Sequence, residues 1–182
     1  MTEQRRARMR QAAVDFCTSL VNLKSPQDLL EKYLHSDCMI TEHGPDWARE
    51  RLPFLAHTFR GFQACQEYFT LLADTFFMEL NKQSFPPSSA FIVDPDWTSD
   101  TAEQNVQGQG RGAVSVVGQG VFGSVQTGKK WREHFIYRLS GFNEDGSKFR
   151  HYEIWADPLS AWNAVSADGK YEVAGSDRLQ DG

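Results

Sequence analysis

Alternating polar and apolar positions near the C-terminal end predict a β-hairpin that the rest of the chain must cover. Two strand-like runs, 131–142 and 149–156, flank residues 143–146, whose Asp-Gly step supplies the positive φ of a tight antiparallel connection. One side of the hairpin carries the following residues: Trp131, Glu133, Phe135, Tyr137, Leu139, Tyr152, Ile154 and Ala156. A single carboxylate, Glu133, is therefore expected among aromatic side chains.

Apolar residues recur every three or four positions over 3–23 and 62–76, which predicts two amphipathic helices. Between them, Ser25 and Pro26 indicate the start of a short helix, because Ser caps helices and Pro fits the first helical position. Strands are predicted at 38–43, 78–85, 89–93 and 112–125. Gly118 and Gly120 in the last of these suggest a bend or bulge. This order predicts an α+β fold with helices segregated against one face of a bent sheet.

The 182 residues fit one domain, expected to span 1–165. The polar segment 94–110 is expected to be an exposed loop, either a lid or a disordered insertion. Residues from 163 on are small and polar and are expected to be unstructured, with 166–182 forming a disordered tail.

Composition limits the possible partners. Aromatic residues make up 13% of the chain, so the core should be built on rings, and the net charge of −5 gives no reason to expect nucleic acid or an anionic membrane. Three cysteines without Cys-x-x-Cys spacing indicate neither a disulfide framework nor a zinc site. No apolar run reaches the length of a membrane span, and no signal peptide is evident, so a soluble cytoplasmic protein is expected. No spacing indicates a metal or another cofactor, and none is expected.

Two short motifs resemble a known family. Phe59-Arg60-Gly61 leads into a helix carrying Tyr68-Phe69, and the last strand ends in Trp155-Ala156-Asp157-Pro158-Leu159. Over residues 14–162 the chain resembles the nuclear transport factor two-like superfamily, and within it the SnoaL-like domains. The resemblance implies three N-terminal helices packed in the concavity of a strongly curved antiparallel sheet, a cystatin-like α/β roll or cone. It also implies a cavity for an apolar small molecule and a homodimer.

The likeness departs from the enzymes of the family at one position. In cyclases and epoxide hydrolases the last strand reads Trp-x-Asp-x-x-Asp, and the first Asp is catalytic. Placing the second Asp on Asp157 puts Ile154 at the catalytic position. Two functions stay open: a cofactor-free cyclase, isomerase or dehydratase working by proton transfer, or a non-catalytic module that binds a small molecule or another protein.

Four residues are candidates for chemistry. Glu133 is the leading acid or base, because aromatic surroundings raise a carboxyl pKa toward neutrality; the alternatives are a partner across the sheet or exposure to solvent. His43, at the end of the first strand, is expected near the mouth of the cavity, or hydrogen-bonded to a loop carbonyl. Tyr137 and Tyr152 are expected either to polarise a substrate carbonyl or to be core residues with satisfied hydroxyls.

The remaining expectations concern the two faces of the sheet. The expected pocket lining comprises Trp47, Phe54, His57, Phe59, Tyr68, Trp131, Phe135 and Ile154. The outer face, where the family dimerises, is expected to present His134, His151, Glu153 and Trp155. Asp157 is expected to cap the turn that follows the last strand.

Overall fold

The computed structural model describes residues 3–98 and 110–166. The helices are α1 (Glu3–Val21), α2 (Pro26–Tyr33), α3 (Phe62–Thr75) and α4 (Pro158–Val165). The strands are β1 (Leu34–His43), β2 (Thr58–Arg60), β3 (Phe76–Glu79), β4 (Ile92–Asp94), β5 (Ala113–Ser124), β6 (Lys130–Ser140) and β7 (Phe149–Trp155), with short 3₁₀ turns at Asp46–Glu50 and Ser88–Ala90.

Helices α1, α2 and α3 form where the sequence pattern predicted them. The apolar stripe of α1 is buried, with Phe16 at its centre contacting the rings of Tyr33, Phe149 and Tyr152 edge-on. Helix α2 begins at Pro26, and the Ser25 hydroxyl accepts the backbone N–H of Asp28 at 3.1 Å. Helices α1, α2 and α3 pack against the sheet, so the expected α+β class with helices on a sheet is confirmed.

The sheet has the strand order β2-β1-β7-β6-β5-β3, and β4 also pairs with β5. The predicted hairpin is present: β6 and β7 pair antiparallel, and Gly146 has a φ of 78°. The sheet is not antiparallel throughout, however, because β1 runs parallel to β7. No tight turn joins these two strands, so no local connection dictates their relative direction.

The glycines of β5 do not mark a bulge, which was one of the two roles expected for them. The β5–β6 register is continuous from Ala113 to Gly123, so these strands contain no bulge; the shift in register lies on β1, between Leu34 and Met39. A Cβ at Gly118 would lie 2.3 Å from Cε2 of Phe135. Glycine is needed there because the Phe135 ring covers the backbone of its neighbour.

Several element boundaries differ from the prediction; β1, for example, begins at Leu34 instead of residue 38. The predicted strand 78–85 ends at Glu79, because Asn81 and Ser84 form a turn held by side-chain to backbone hydrogen bonds. The predicted strand 89–93 is a 3₁₀ turn followed by β4, Ile92–Asp94. Residues 163–165, expected to be unstructured, belong to α4.

Helix α4 begins immediately after β7. Asp157 Oδ1 accepts the backbone N–H groups of Leu159 and Ser160, so Asp157 is the N-cap of a helix rather than of a simple turn. Most of the expected 94–110 loop and the tail beyond Ser166 lie outside the described residues. No helix among those described is long and apolar enough to cross a membrane.

Candidate functional site

A cavity lies between the helices and the sheet, and its wall is mostly apolar and rich in aromatic rings. The volume that the centre of a water molecule can occupy inside it is about 50 Å³, several times the roughly 10–15 Å³ that one water requires. Of the residues expected to line it, the following do so: Phe54, Tyr68, Trp131, Phe135 and Ile154. The four expected catalytic residues, Glu133, His43, Tyr137 and Tyr152, also border it.

Glu133 projects from β6 and is 9% exposed, so the alternative in which it faces solvent is excluded. Its Oε2 accepts the indole N–H of Trp131 at 3.0 Å and the backbone N–H of Asp157 at 3.1 Å. Burial raises the pKa of this carboxyl, and the two hydrogen bonds oppose that rise only in part. Glu133 is therefore available in a protonated form nearer neutrality than an ordinary glutamate.

A second carboxyl, Glu42 of β1, was not predicted as a site residue. It is 7% exposed, borders the cavity, and accepts the hydroxyl of Tyr68 at 2.7 Å. Burial raises its pKa from 4.5 to about 7, the nearby Glu133 adds to the rise, and the Tyr68 hydrogen bond limits it. The signal was present in the sequence, since strand alternation puts Cys38, Ile40 and Glu42 on one face.

Glu42 lies beside Ile154, the position at which the resemblance noted in the sequence implies a catalytic acid. In the parallel β1–β7 ladder, Glu42 is the partner of Ile154. Ile154 is buried in the cavity wall and contributes no charge. Strand β7 has no carboxyl at Ile154. Glu42 supplies one from the neighbouring strand β1, at the same level of the sheet.

Tyr137 and Tyr152 add two phenol groups to the wall. Their rings meet edge-on with centroids 5.0 Å apart, and each phenol influences the pKa of the other. Burial raises the pKa of both phenols, so both remain protonated at neutral pH. Because both phenols keep their protons, their O–H groups are available to donate a hydrogen bond to a bound molecule.

His43 does not join Glu133 as an acid–base pair. Its Nε2 lies 3.2 Å from Oε1 of Glu153, and its ring stacks on Trp155 at 4.2 Å. Adjacent strand residues point to opposite faces of a sheet, so Glu42 points into the cavity and the imidazole of His43 points away from it. The expected pairing of His43 with a loop carbonyl is also absent; that contact is made by His57, whose Nδ1 lies 3.1 Å from the Leu55 carbonyl.

Three residues expected to line the pocket lie elsewhere. Trp47 is 54% exposed and packs edge-on against Trp162. His57 packs on Phe59 at 4.1 Å, and Phe59 is buried against Tyr68, behind the cavity wall. Trp47 and His57 lie between β1 and β2, and Phe59 lies in the short strand β2. In such segments, sequence alternation gives little guidance on which way a side chain points.

The face opposite the cavity holds an ionic cluster formed by Glu153, Arg138, His43 and His151. Arg138 binds both oxygens of Glu153, at 2.7 and 2.8 Å, and His151 Nδ1 is 3.8 Å from Oε2. Burial acts to raise the pKa of Glu153, but Arg138 and the histidines lower it overall. Burial lowers the pKa of His151 to about 4, so its ring is neutral.

Two of the four residues expected at a dimer face are not accessible. His151 and Glu153 are 6% and 4% exposed, because Arg138 and the neighbouring rings cover them. His134 is exposed and Trp155 is half-buried, so both remain available to a partner.

Among the described residues, no group of three or more His, Cys, Asp or Glu side chains is placed to hold a metal ion. The three cysteines are buried free thiols.

Helices over one face of a mixed sheet, with a cavity between them, define an α+β cone. Comparison with solved structures identifies the fold to which this arrangement belongs. An NTF2-like protein (nuclear transport factor two-like) from Burkholderia xenovorans is 16% identical, with a TM-score of 0.58, and the match covers 91% of this chain and 99% of that one. A ketosteroid isomerase-like protein from Erwinia carotovora is 14% identical, with a TM-score of 0.53 and coverage of 85% and 98%. An NTF2-like protein from Burkholderia thailandensis is 16% identical, with a TM-score of 0.53 and coverage of 87% and 97%.

The chain therefore has the NTF2-like fold, as its motifs indicated. No protein-family model matches the sequence, and no curated protein matches it. At these identities the likeness establishes the fold, and activity has to be argued from the site.

Proposed function

We propose that this protein is SnoaL-like and binds an apolar small molecule in its aromatic cavity, where Glu42 and Glu133 carry out cofactor-free proton transfer. The reaction class is isomerisation, cyclisation or dehydration. The observation that carries the proposal is the placement of two buried carboxyls and a phenol pair in one apolar cavity. The ketosteroid isomerase-like neighbour is consistent with this class but does not establish it.

The geometry supports a simple division of labour. Glu42, with a pKa of about 7, is half ionised at neutral pH and can take a proton from a carbon next to a carbonyl group. An O–H group of Tyr137 or Tyr152 can donate to the carbonyl oxygen as negative charge develops on it. Glu133, whose pKa burial also raises, can return a proton at another carbon. No net proton is gained or lost.

A compact β,γ-unsaturated cyclic ketone tests the proposal, because its conversion to the conjugated isomer is followed by ultraviolet absorbance. We expect kcat to rise with pH through about 7 as Glu42 ionises. Glu42→Gln should lower kcat by about 100-fold or more, the usual effect of losing a general base. Glu79→Gln is the matched control, since Glu79 is exposed and pairs with Lys130.

The alternative is a non-catalytic binding module of the same fold. Ile154 at the usual acid position favours it, as does the narrowness of the cavity. Native mass spectrometry of the purified protein separates the two: a retained ligand together with absence of turnover of any ketone tested would favour the binding module.

We also propose that the protein is a cytoplasmic homodimer that associates through the outer sheet face. The free thiols support a reducing compartment. A row of paired residues crosses strands β5, β6, β7 and β1 on this face: Val117, Ile136, Trp155 and His43. Val117 and Ile136 are 53% and 44% exposed. This apolar row is suited to a second copy of the chain. Trp155→Ala should therefore weaken dimerisation in light scattering more than it weakens ligand uptake; a variant that stays dimeric would contradict the proposal.

A further inference from the structure

Most ionisable groups around the cavity are carboxyls or phenols, which can carry only negative charge. Apart from His43, whose imidazole binds Glu153, and the tyrosines, they are the carboxyls of Glu42, Glu133 and Asp157. No lysine or arginine is among the described residues that line the cavity. Asp157 is occupied as the cap of α4, whereas the two glutamates point into an apolar space with no cation beside them.

Each glutamate also has an oxygen without a partner. The hydrogen bonds to Glu42 and Glu133 all go to Oε2. Within the described chain no donor reaches either Oε1, and neither atom is sealed in the interior as an unsatisfied buried group. Both glutamates line the cavity, so their Oε1 atoms are available to a bound molecule, and a carboxylate oxygen in an apolar site requires a hydrogen-bond donor.

The surroundings of Glu133 suit one kind of donor. Trp131, which donates its indole N–H to Glu133, is packed against the rings of Phe76 at 5.0 Å and Phe122 at 5.7 Å. An organic cation is stabilised both by a carboxylate and by the faces of aromatic rings, and tryptophan is the most favourable of these. Such a cation would also offset the cost of burying the Glu133 charge next to Asp157.

We propose that the ligand of this cavity is a compact hydrophobic amine that binds as its ammonium ion, donating N–H to Oε1 of Glu133 with its carbon skeleton against Trp131. This inference rests on the proposed use of the cavity as a ligand site, but not on turnover. A neutral amine that enters takes the proton of Glu133, so an ammonium–carboxylate pair forms with no net change in charge. With an amine bound, Glu133 no longer returns the proton as proposed above for a neutral ligand, and Glu42 both removes and returns it.

Three ligands of nearly equal shape test the proposal: benzylamine, benzyl alcohol and benzoate. They are titrated into the full-length protein by calorimetry, with the Trp131 indole N–H resonance, assigned through Trp131→Phe, reporting where they bind. We expect benzylamine to bind on the order of tenfold or more tightly than benzyl alcohol, the usual effect of a buried hydrogen bond to a charged group. Benzoate should bind most weakly.

Glu133→Gln should remove the preference for the amine while leaving the affinity for the alcohol within about twofold. Glu79→Gln, which removes an exposed charge, should keep the preference. Equal binding of amine and alcohol, or an amine preference that survives in Glu133→Gln, would overturn the ammonium assignment and leave the cavity as a site for neutral ligands. If none of the three shifts the Trp131 resonance, the proposed binding function fails as well. The ranking in the wild type decides the question even if Glu133→Gln does not fold.

Discussion

Replacing Glu42 with glutamine should make the protein more stable at neutral and alkaline pH. Gln has the same shape and can still accept the Tyr68 hydroxyl, which lies 2.7 Å from Oε2 of Glu42. The pKa of Glu42 rises from 4.5 to about 7 on folding, chiefly through burial, so the folded state binds more protons than the unfolded state over that interval. The unfolding free energy therefore falls as pH rises from 4.5 to about 7, and the loss is complete above that range.

The magnitude follows from the size of the interval. Each pH unit between the folded and unfolded pKa values corresponds to about 1.4 kcal/mol. The interval of about 2.5 pH units thus corresponds to roughly 3 kcal/mol contributed by Glu42 alone. We expect Glu42→Gln and the wild type to have similar stability near pH 4, and the variant to be more stable by about 3 kcal/mol at pH 8.

Urea denaturation followed by circular dichroism, at pH steps between 4 and 8, measures this difference. Comparing the variant with the wild type removes the contributions of other groups, including His151, whose lowered pKa decreases stability as the pH falls. Glu79→Gln serves as the exposed control and should show no comparable gain. A difference that does not change with pH, or a variant less stable than the wild type at pH 8, would show that Glu42 is not a buried acid.

Three further predictions concern packing and charge. Gly118→Ala should lower the free energy of unfolding by about 1–3 kcal/mol in urea denaturation, because its Cβ would displace the ring of Phe135 toward the cavity. The variant should also bind ligand more weakly. An unchanged denaturation midpoint would contradict the packing described. Asp157→Ala should cost about 1 kcal/mol by removing the N-cap of α4, while Asp157→Asn should be nearly neutral; equal losses would argue against capping. Arg138→Met should lower the free energy of unfolding by about 3 kcal/mol or more at pH 7, because it leaves Glu153 buried without its bidentate partner. Combining it with Glu153→Gln should restore much of that stability. An Arg138→Met variant as stable as the wild type would contradict the ion pair.

Local patterns predicted the parts of the molecule that are locally encoded. The hairpin of β6 and β7 follows from alternation and an Asp-Gly turn, and its inward face placed Glu133, Tyr137 and Ile154 correctly at the cavity. On β1 the same alternation puts Glu42 inside and His43 outside. The expectation that His43 lies near the cavity mouth therefore concerned the wrong residue of an adjacent pair.

Other features depend on contacts that no short pattern contains. The parallel pairing of β1 with β7 joins segments far apart in sequence. Burial of His151 and Glu153 on the outer face depends on Arg138 and on the rings that cover them. Helix α4 was missed because eight residues, several of them small, show little periodicity, although the Asp157-Pro158 step marks its start.

The parallel partnership of β1 and β7 has a consequence for the order of events on the ribosome. Strand β1 is synthesised about 110 residues before the strand that it finally pairs with, as in Thr41 and His151. Until β7 has left the exit tunnel, one edge of β1 has no permanent neighbour, and Glu42 is not yet beside Ile154. The nascent chain therefore cannot complete this part of the cavity wall gradually, because Glu42 and Ile154 come together only after β7 has been translated.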